Sequence, residues 1–154
     1  MRFPEGLIRP LSLPLRLLPG RLHSQALATM LNRVMKDSIA EGELDFLLGR
    51  RVGIEIADLG VRYCLGMTGG HIRGYGSDSS PDASISGQLI DFLQLAARRE
   101  DADTLFFQRR LRMSGDTELG LYLKNFLDAF EPPERWKPLT RALDRLADLS
   151  APRQ

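Results

Sequence analysis

Residues 50–76 read RRVGIEIADLGVRYCLGMTGGHIRGYG, and the fold turns on this stretch. Val52, Ile54 and Ile56 alternate with Gly53, Glu55 and Ala57; after Asp58-Leu59-Gly60 the alternation resumes at Val61, Tyr63, Leu65 and Met67. A repeat of two residues puts successive side chains on opposite faces, so the two runs read as adjacent antiparallel strands. Gly69-Gly70 supplies the positive φ angles of a tight hairpin and leads into a third strand, His71 to Tyr75.

Downstream, the polar loop GSDSSPD (76–82) precedes a short fourth strand, ASIS (83–86). A helix then carries Leu89, Phe92, Leu93 and Ala96 on one face, with Ile90 and Leu95 off that face. Helices apolar on more than one side are usually sandwiched. After the charged break RREDAD (98–103), Arg110 to Ser114 alternates as a fifth strand, which predicts Arg110 and Arg112 facing water. Gly115 closes it. Asp116 or Thr117 is placed to cap the next helix, with Glu118 near its positive end and a stripe of Leu119, Tyr122, Leu123, Phe126, Leu127 and Phe130.

Upstream, Leu27, Met30, Leu31, Val34 and Ile39 predict a helix from Ser24, with Gly42 just past its end and a short second helix from Glu43 to Leu48. Pro132-Pro133 separates a last amphipathic helix carrying Leu139, Leu143, Leu146 and Leu149. It reads as an appendage. The order of elements is that of an α+β domain with an antiparallel or mixed sheet covered on one face.

Composition narrows function by exclusion. The chain has 154 residues, 43% apolar and 27% charged, the balance of one domain with a real core. A formal net charge of +1 lacks the basic field of a general nucleic-acid binder, so no nucleic acid is expected as a partner. A single cysteine, Cys64, and two histidines, His23 and His71, leave no disulfide framework or metal cluster, and neither metal nor cofactor is expected. The near-neutral sum conceals a division: residues 1–24 hold four Arg against one Glu, a charge of +3, so the remaining 130 carry −2.

That basic leader is also apolar, with eight Leu or Ile and Pro4, Pro10, Pro14 and Pro19 spaced too closely for a continuous helix. Arg9 and Arg16 interrupt the apolar run, so it is neither a membrane span nor a convincing signal peptide. Three readings stay open: an irregular arm packed on the domain, a membrane-surface or lid segment, or a cleaved Arg-rich targeting peptide. The membrane reading predicts that Arg9, Arg16 and Arg21 meet anionic headgroups while Leu13 and Leu17 insert.

Catalytic signatures are sparse. TGGHIRGYG (68–76) matches neither G-x-G-x-x-G nor a Walker loop and reads as a hairpin. His71 with Asp78 or Asp82 is a conceivable proton-transfer pair, against which stands a solvated loop histidine. Cys64 alternates with its strand neighbours as a buried thiol, and no serine has nucleophile-elbow flanks. From these residues no catalytic role is assigned, and an acid–base enzyme using His71 stays open beside the non-catalytic readings. The pairs Arg50-Arg51, Arg98-Arg99 and Arg109-Arg110 read either as solvated element ends or as a site for an anionic headgroup. The excess apolar helix surface either fills one core or walls a cavity between sheet and helices; composition does not choose.

DASISGQLIDFLQLA (82–96) followed by QRRLRMSGDTELGLYLKNFLDA (108–129) resembles the strand–helix–strand–Gly-Asp–helix signature of the sterol carrier protein 2 (SCP2) family. RRVGIEIAD and VRYCLGMTGG fit that family's opening hairpin, and the resemblance covers roughly residues 22–130. LFFQRRLRMSGDTELGLYLKNFLDA (105–129), taken with the leader, is similar to the family's bacterial accessory factors of oxygen-independent ubiquinone biosynthesis.

The resemblance implies an SCP2-like α+β fold, a five-stranded mainly antiparallel sheet whose helices enclose an apolar cavity for an isoprenoid or phospholipid. It implies a non-catalytic carrier, cytoplasmic and peripherally membrane-associated. Such a carrier would hold a polyprenylated quinone precursor and work with two U32 peptidase-like proteins that hydroxylate it without oxygen. Lipid-contacting positions carried over are Phe92, Leu93, Phe106, Leu119, Leu123 and Phe126. The organisation expected is an arm over 1–21, a lipid-binding domain over 22–130 and a C-terminal helical extension over 131–154. From the residues alone, a scaffold that binds protein partners through its apolar helices remains the alternative.

Overall fold

The structure, a computed structural model, describes residues 20–76 and 79–150. The leader residues Arg9, Leu13, Arg16 and Leu17 lie outside them, as does Asp78. The chain runs α1 (Gly20–Val34), α2 (Lys36–Ala40), a 3-10 turn (Asp45–Leu47), β1 (Arg51–Ile56), β2 (Val61–Thr68), β3 (His71–Tyr75), β4 (Ala83–Gly87), α3 (Leu89–Ala96), α4 (Ala102–Phe107), β5 (Arg112–Gly115), α5 (Thr117–Ala129), a second 3-10 turn (Glu134–Trp136) and α6 (Lys137–Ser150).

The five strands form one sheet in the order β3-β2-β1-β4-β5. All neighbours are antiparallel except β1 and β4, which run parallel with Val52 beside Ala83 and Ile54 beside Ile85. The expected α+β architecture, with a five-stranded mainly antiparallel sheet, is therefore present. The hairpin from β2 to β3 turns on Gly69 (φ +61°) and Gly70 (φ +76°), the mirror-image turn whose twist matches the strands.

The parallel pair exists because the chain leaves the edge strand β3 and returns to the far side of β1. Asp82 fixes that return: its carboxylate accepts the Arg51 amide at 2.8 Å and its own amide donates to the Arg51 carbonyl at 2.8 Å. The Asp82 carbonyl accepts the Asp116 amide, also at 2.8 Å, tying β5 to the same point. Here the Ser-Gly-Asp run finds its physical reason. Gly115 has φ +91°, and a Cβ there would lie 2.4 Å from the Asp82 carbonyl oxygen, so a side chain is excluded twice over. Asp116 then caps α5 by accepting the Leu119 amide at 2.8 Å.

One face of the sheet packs against helices. Val52, Leu65, Met67, Ile72, Ala83 and Ile85 meet Leu105, Leu111, Leu119 and Leu123 in one core, with Leu44 and Leu47 from the turn before β1. Each buried aliphatic of this size contributes about 1.5–3 kcal/mol. Ser84 and Ser86 of β4 take the opposite face, as the alternation requires.

Two features depart from expectation. The first helix begins at Gly20 rather than Ser24 and breaks at Met35, and the expected helix from Glu43 to Leu48 is a single 3-10 turn. More consequentially, α1 lies along the open edge of β3. Gln25 and Asn32 bond its free amides, and Gly74 admits the helix so closely that a Cβ would sit 2.3 Å from the Ser24 backbone. An edge strand with unpaired polar groups invites association, and α1 removes that edge.

Candidate functional site

Helix α3 is the hub of the helical layer because its residues face three ways. Ile90 is buried in the protein interior, Phe92 and Leu95 face a cleft, and Asp91 and Gln94 face a polar cluster. The cleft has a volume of about 190 Å3. Met30, Leu31 and Val34 of α1 form one wall, Phe92 and Leu95 a second, and Leu127 and Phe130 at the end of α5 a third. The C-terminal segment closes the fourth side with Trp136, Leu139 and Leu143. Its wall is almost wholly apolar.

Local sequence explains how α6 reaches this place. Pro132-Pro133 stops α5 and turns the chain, and the 3-10 turn at Glu134–Trp136 starts a helix whose Leu139 and Leu143 repeat at four residues. Ala147 is completely buried at the same interface. Outside the apolar contact, the Arg99 guanidinium holds Asp144 at 2.5 Å and also bonds Asp148, one helical turn on. Its neighbour Arg98 donates to the carbonyls of Leu127 (3.2 Å) and Asp128 (3.2 Å), closing the end of α5. The Arg98-Arg99 pair is thus engaged internally.

A second cluster lies on the other side of α3. Arg110 donates from Nε to Asp91 at 2.7 Å and from Nη1 to Glu100 at 2.5 Å, and its Nη2 bonds Gln94. Desolvation opposes the charge on Arg110, yet the hydrogen bonds it donates to Glu100 and Asp91 outweigh this and the net shift of its pKa is upward. The expectation that Arg110 faces water is corrected. β5 begins only at Arg112, because α4 ends in a tight turn in which the Arg110 and Leu111 amides both donate to the Leu105 carbonyl. That turn swings Arg110 onto the buried Asp91 carboxylate.

The six positions expected to contact lipid are dispersed. Phe92 lines the apolar cleft. Leu119 and Leu123 belong to the core under the sheet, and Phe106 packs against that core. Phe126 stands between Phe46 and Phe130, with ring centroids at 6.2 and 5.5 Å. It lines a separate, more open groove with Phe46 and Tyr122. Leu93 is half-buried. Arg21 opens α1, whereas the other leader positions lie outside the described residues. The residues that build the cleft with Phe92 were visible only as stripes on the first and last helices, whose inward direction the sequence does not state.

Among the described residues no group of three or more His, Cys, Asp or Glu is placed to hold a metal ion. His71 is exposed at its hairpin, and the Asp82 carboxylate is engaged by the Arg51 amide. Cys64 is buried, and burial pushes its thiol pKa up, away from the thiolate a nucleophile needs. No described helix is long and apolar enough to cross a membrane.

The family model for the SCP-2 sterol transfer family matches residues 27–128. The chain belongs to that family. Its curated relatives include the ubiquinone biosynthesis accessory factor UbiT of Escherichia coli strain K12, 41% identical over 138 residues that cover 90% of this chain and 79% of the relative. Among solved structures, the SCP-2 fold recurs in a UbiJ-SCP2 ubiquinone synthesis protein, with a TM-score of 0.56 at 17% identity over 70% of this chain and 94% of that one. It recurs also in palmitated SCP2L2 from Aedes aegypti, with a TM-score of 0.51 at 17% identity over 69% and 96%. The SCP-2 match ends at residue 128, so the cleft joins family helices to a wall that lies beyond the match.

Proposed function

We propose that the chain is a non-catalytic lipid-binding accessory factor of ubiquinone biosynthesis, serving its oxygen-independent branch. It takes a polyprenylated quinone precursor, or a phospholipid, from the membrane surface and presents it to pathway enzymes. The observation that carries this reading is the apolar cleft between α1, α3, α5 and α6, found in a chain of the SCP-2 family with a 41% identical relative named for that pathway. Removing apolar lipid surface from water at about 25 cal/mol per Å2 supplies the driving force. The test is mass spectrometry of lipid extracted from the native protein: isoprenoid or phospholipid at near-stoichiometric yield is expected, and protein free of lipid that also ignores a labelled precursor would overturn it.

Delivery needs two surfaces. The leader is the membrane contact in this reading, Arg9, Arg16 and Arg21 meeting anionic headgroups and Leu13 and Leu17 inserting. A Leu13→Asp, Leu17→Asp double variant should lose co-sedimentation with acidic vesicles. For partners, the U32 peptidase-like hydroxylation proteins, the exposed Phe107, Leu121 and Tyr122 offer apolar surface that the fold leaves uncovered. A scaffold role without lipid carriage draws on the same surface. Phe107→Asp or Tyr122→Asp breaking complex assembly in a protein that carries no lipid would favour the scaffold.

A further inference from the structure

The apolar cleft is too small for the ligand proposed above. Its volume of about 190 Å3 falls below the roughly 300–1,000 Å3 of sites that enclose a drug-sized molecule, and a polyprenylated ring or a phospholipid is no smaller than such a molecule. A lipid enters only if a wall gives way.

Three of the four walls are rooted in the domain. Helices α1, α3 and α5 send Ala28, Ile90 and Leu119 into fully buried positions, and Asn32 and Asp91 fasten two of them by polar contacts to β3 and to Arg110. The fourth wall differs. α6 meets the body through one stripe at a spacing of four residues, Leu139, Leu143 and Ala147. Among the described residues its ion pairs to the other elements come from one guanidinium, that of Arg99, through bonds that sit in solvent. It follows Pro132-Pro133 and a 3-10 turn, and it lies beyond residue 128, where the SCP-2 match ends. Moved as a unit, α6 leaves the other three walls standing as an open apolar trough.

The surface that α6 covers is the surface a lipid tail needs. Leu139 and Leu143 lie on an almost wholly apolar lining, and apolar burial is non-directional, so the trough accepts a leucine stripe and a methylene chain on the same terms.

Resting on the lipid-carrier reading, we propose that this trough seats the hydrocarbon chain of the ligand and that α6 occupies the seat until the chain takes it. Helix and chain compete for one surface. The displaced helix passes to the bilayer from which the lipid comes: Leu139, Leu143, Leu146 and Leu149 face the acyl region, and the exposed Lys137, Arg141 and Arg145, four residues apart, face anionic headgroups. Competition also sets affinity. A lipid that binds only the open form is weakened in proportion to the fraction of molecules in which α6 is seated, so loosening α6 tightens lipid binding and pinning it prevents loading.

The test uses the full chain carrying Cys64→Ala, Arg99→Cys and Asp144→Cys, with the two new thiols joined by a reducible bismaleimide. The probe is cis-parinaric acid, a linear fatty acid that fluoresces when it leaves water. The pinned protein should bind it about tenfold more weakly than the same sample after reduction, so one polypeptide is its own control for folding. Arg99→Gln in the otherwise unaltered chain should tighten binding about three- to tenfold. In hydrogen exchange of the unaltered protein, parinaric acid should slow the amides of α1, α3 and α5 beside the trough and quicken those of α6.

Equal binding before and after reduction, or α6 amides that slow together with the trough, would overturn the competition and leave the carrier reading intact. So would an Arg99→Gln variant that binds no tighter than the unaltered chain. Unaltered protein that takes up neither cis-parinaric acid nor a polyprenyl alcohol would overturn both.

Discussion

Asn32 and Ile72 exchange two hydrogen bonds across the edge of the sheet: Asn32 Nδ2 donates to the Ile72 carbonyl at 2.8 Å, and Asn32 Oδ1 accepts the Ile72 amide at 2.7 Å. The side-chain amide takes the place of a sixth strand. Asn32→Ala strips both partners from a half-buried edge and should destabilise by about 1–2 kcal/mol. Asn32→Asp should cost more, because a carboxylate faces the Ile72 carbonyl without a donor. Urea unfolding measures both, and the Ile72 amide should lose hydrogen-exchange protection first.

Arg98 and Arg109 both hold φ +58°, the left-handed conformation that closes a helix and that glycine adopts without strain. Only Arg98 returns something for it, through the Leu127 and Asp128 carbonyls. Arg109→Gly should therefore stabilise by about 0.5–1 kcal/mol, whereas Arg98→Gly should be neutral or destabilising despite the same relief. Thermal midpoints that move in the same direction would refute this account.

The Asp91 side chain is only 8% exposed and depends on Arg110. Arg110→Met leaves the carboxylate buried without its counter-charge and should cost about 3 kcal/mol. Asp91→Asn keeps an acceptor for Nε and should cost nearer 1 kcal/mol. Equal losses in denaturant titrations would show that volume, and not charge, governs the site.

Burial raises the Cys64 thiol from 9.0, with Asp82 adding to the rise and Arg51 opposing it. The unfolded chain releases this proton at lower pH than the native one does. Stability is therefore unaffected below pH 9 and falls as pH climbs above 9.0 towards the raised native value. Cys64→Ala should remove the first part of that slope; burial raises Tyr63 from 10.0, so the steeper fall at higher pH stays. Native Cys64 should also resist thiol reagents at pH 8 unless urea is added.

The bonds from Arg99 to Asp144 and Asp148 sit in solvent and fasten the outer side of α6. Salt at about 1 M shortens the screening length to roughly 3 Å, so amide exchange in α6 should quicken while the global unfolding midpoint barely moves. Arg99→Gln should reproduce the effect at low salt and abolish its salt dependence.

Much of this was legible in the chain. The alternation from Val52 to Met67 and the glycine pair at 69–70 specify the hairpin, because strand period and turn geometry are local properties. Gly115-Asp116 announced the end of β5 and the cap of α5 for the same reason. The candidate site was less legible. Phe92 was singled out and does line the cleft, but Leu119 and Leu123 carry the same apolar signal and serve the core. An apolar stripe records that a surface is covered, not by what.

The sequence by itself determined the periodicities, the turns, the caps and the division between a basic apolar leader and a slightly acidic body, since each depends on neighbours within a few residues. Only the tertiary structure decided that α1 seals the sheet edge 40 residues away, that Arg110 turns inward to Asp91, and that Trp136 and Leu143 close a cleft begun by Met30 and Phe92. Those outcomes depend on which faces meet across the whole chain. Their energies come from contacts between segments that no local pattern encodes.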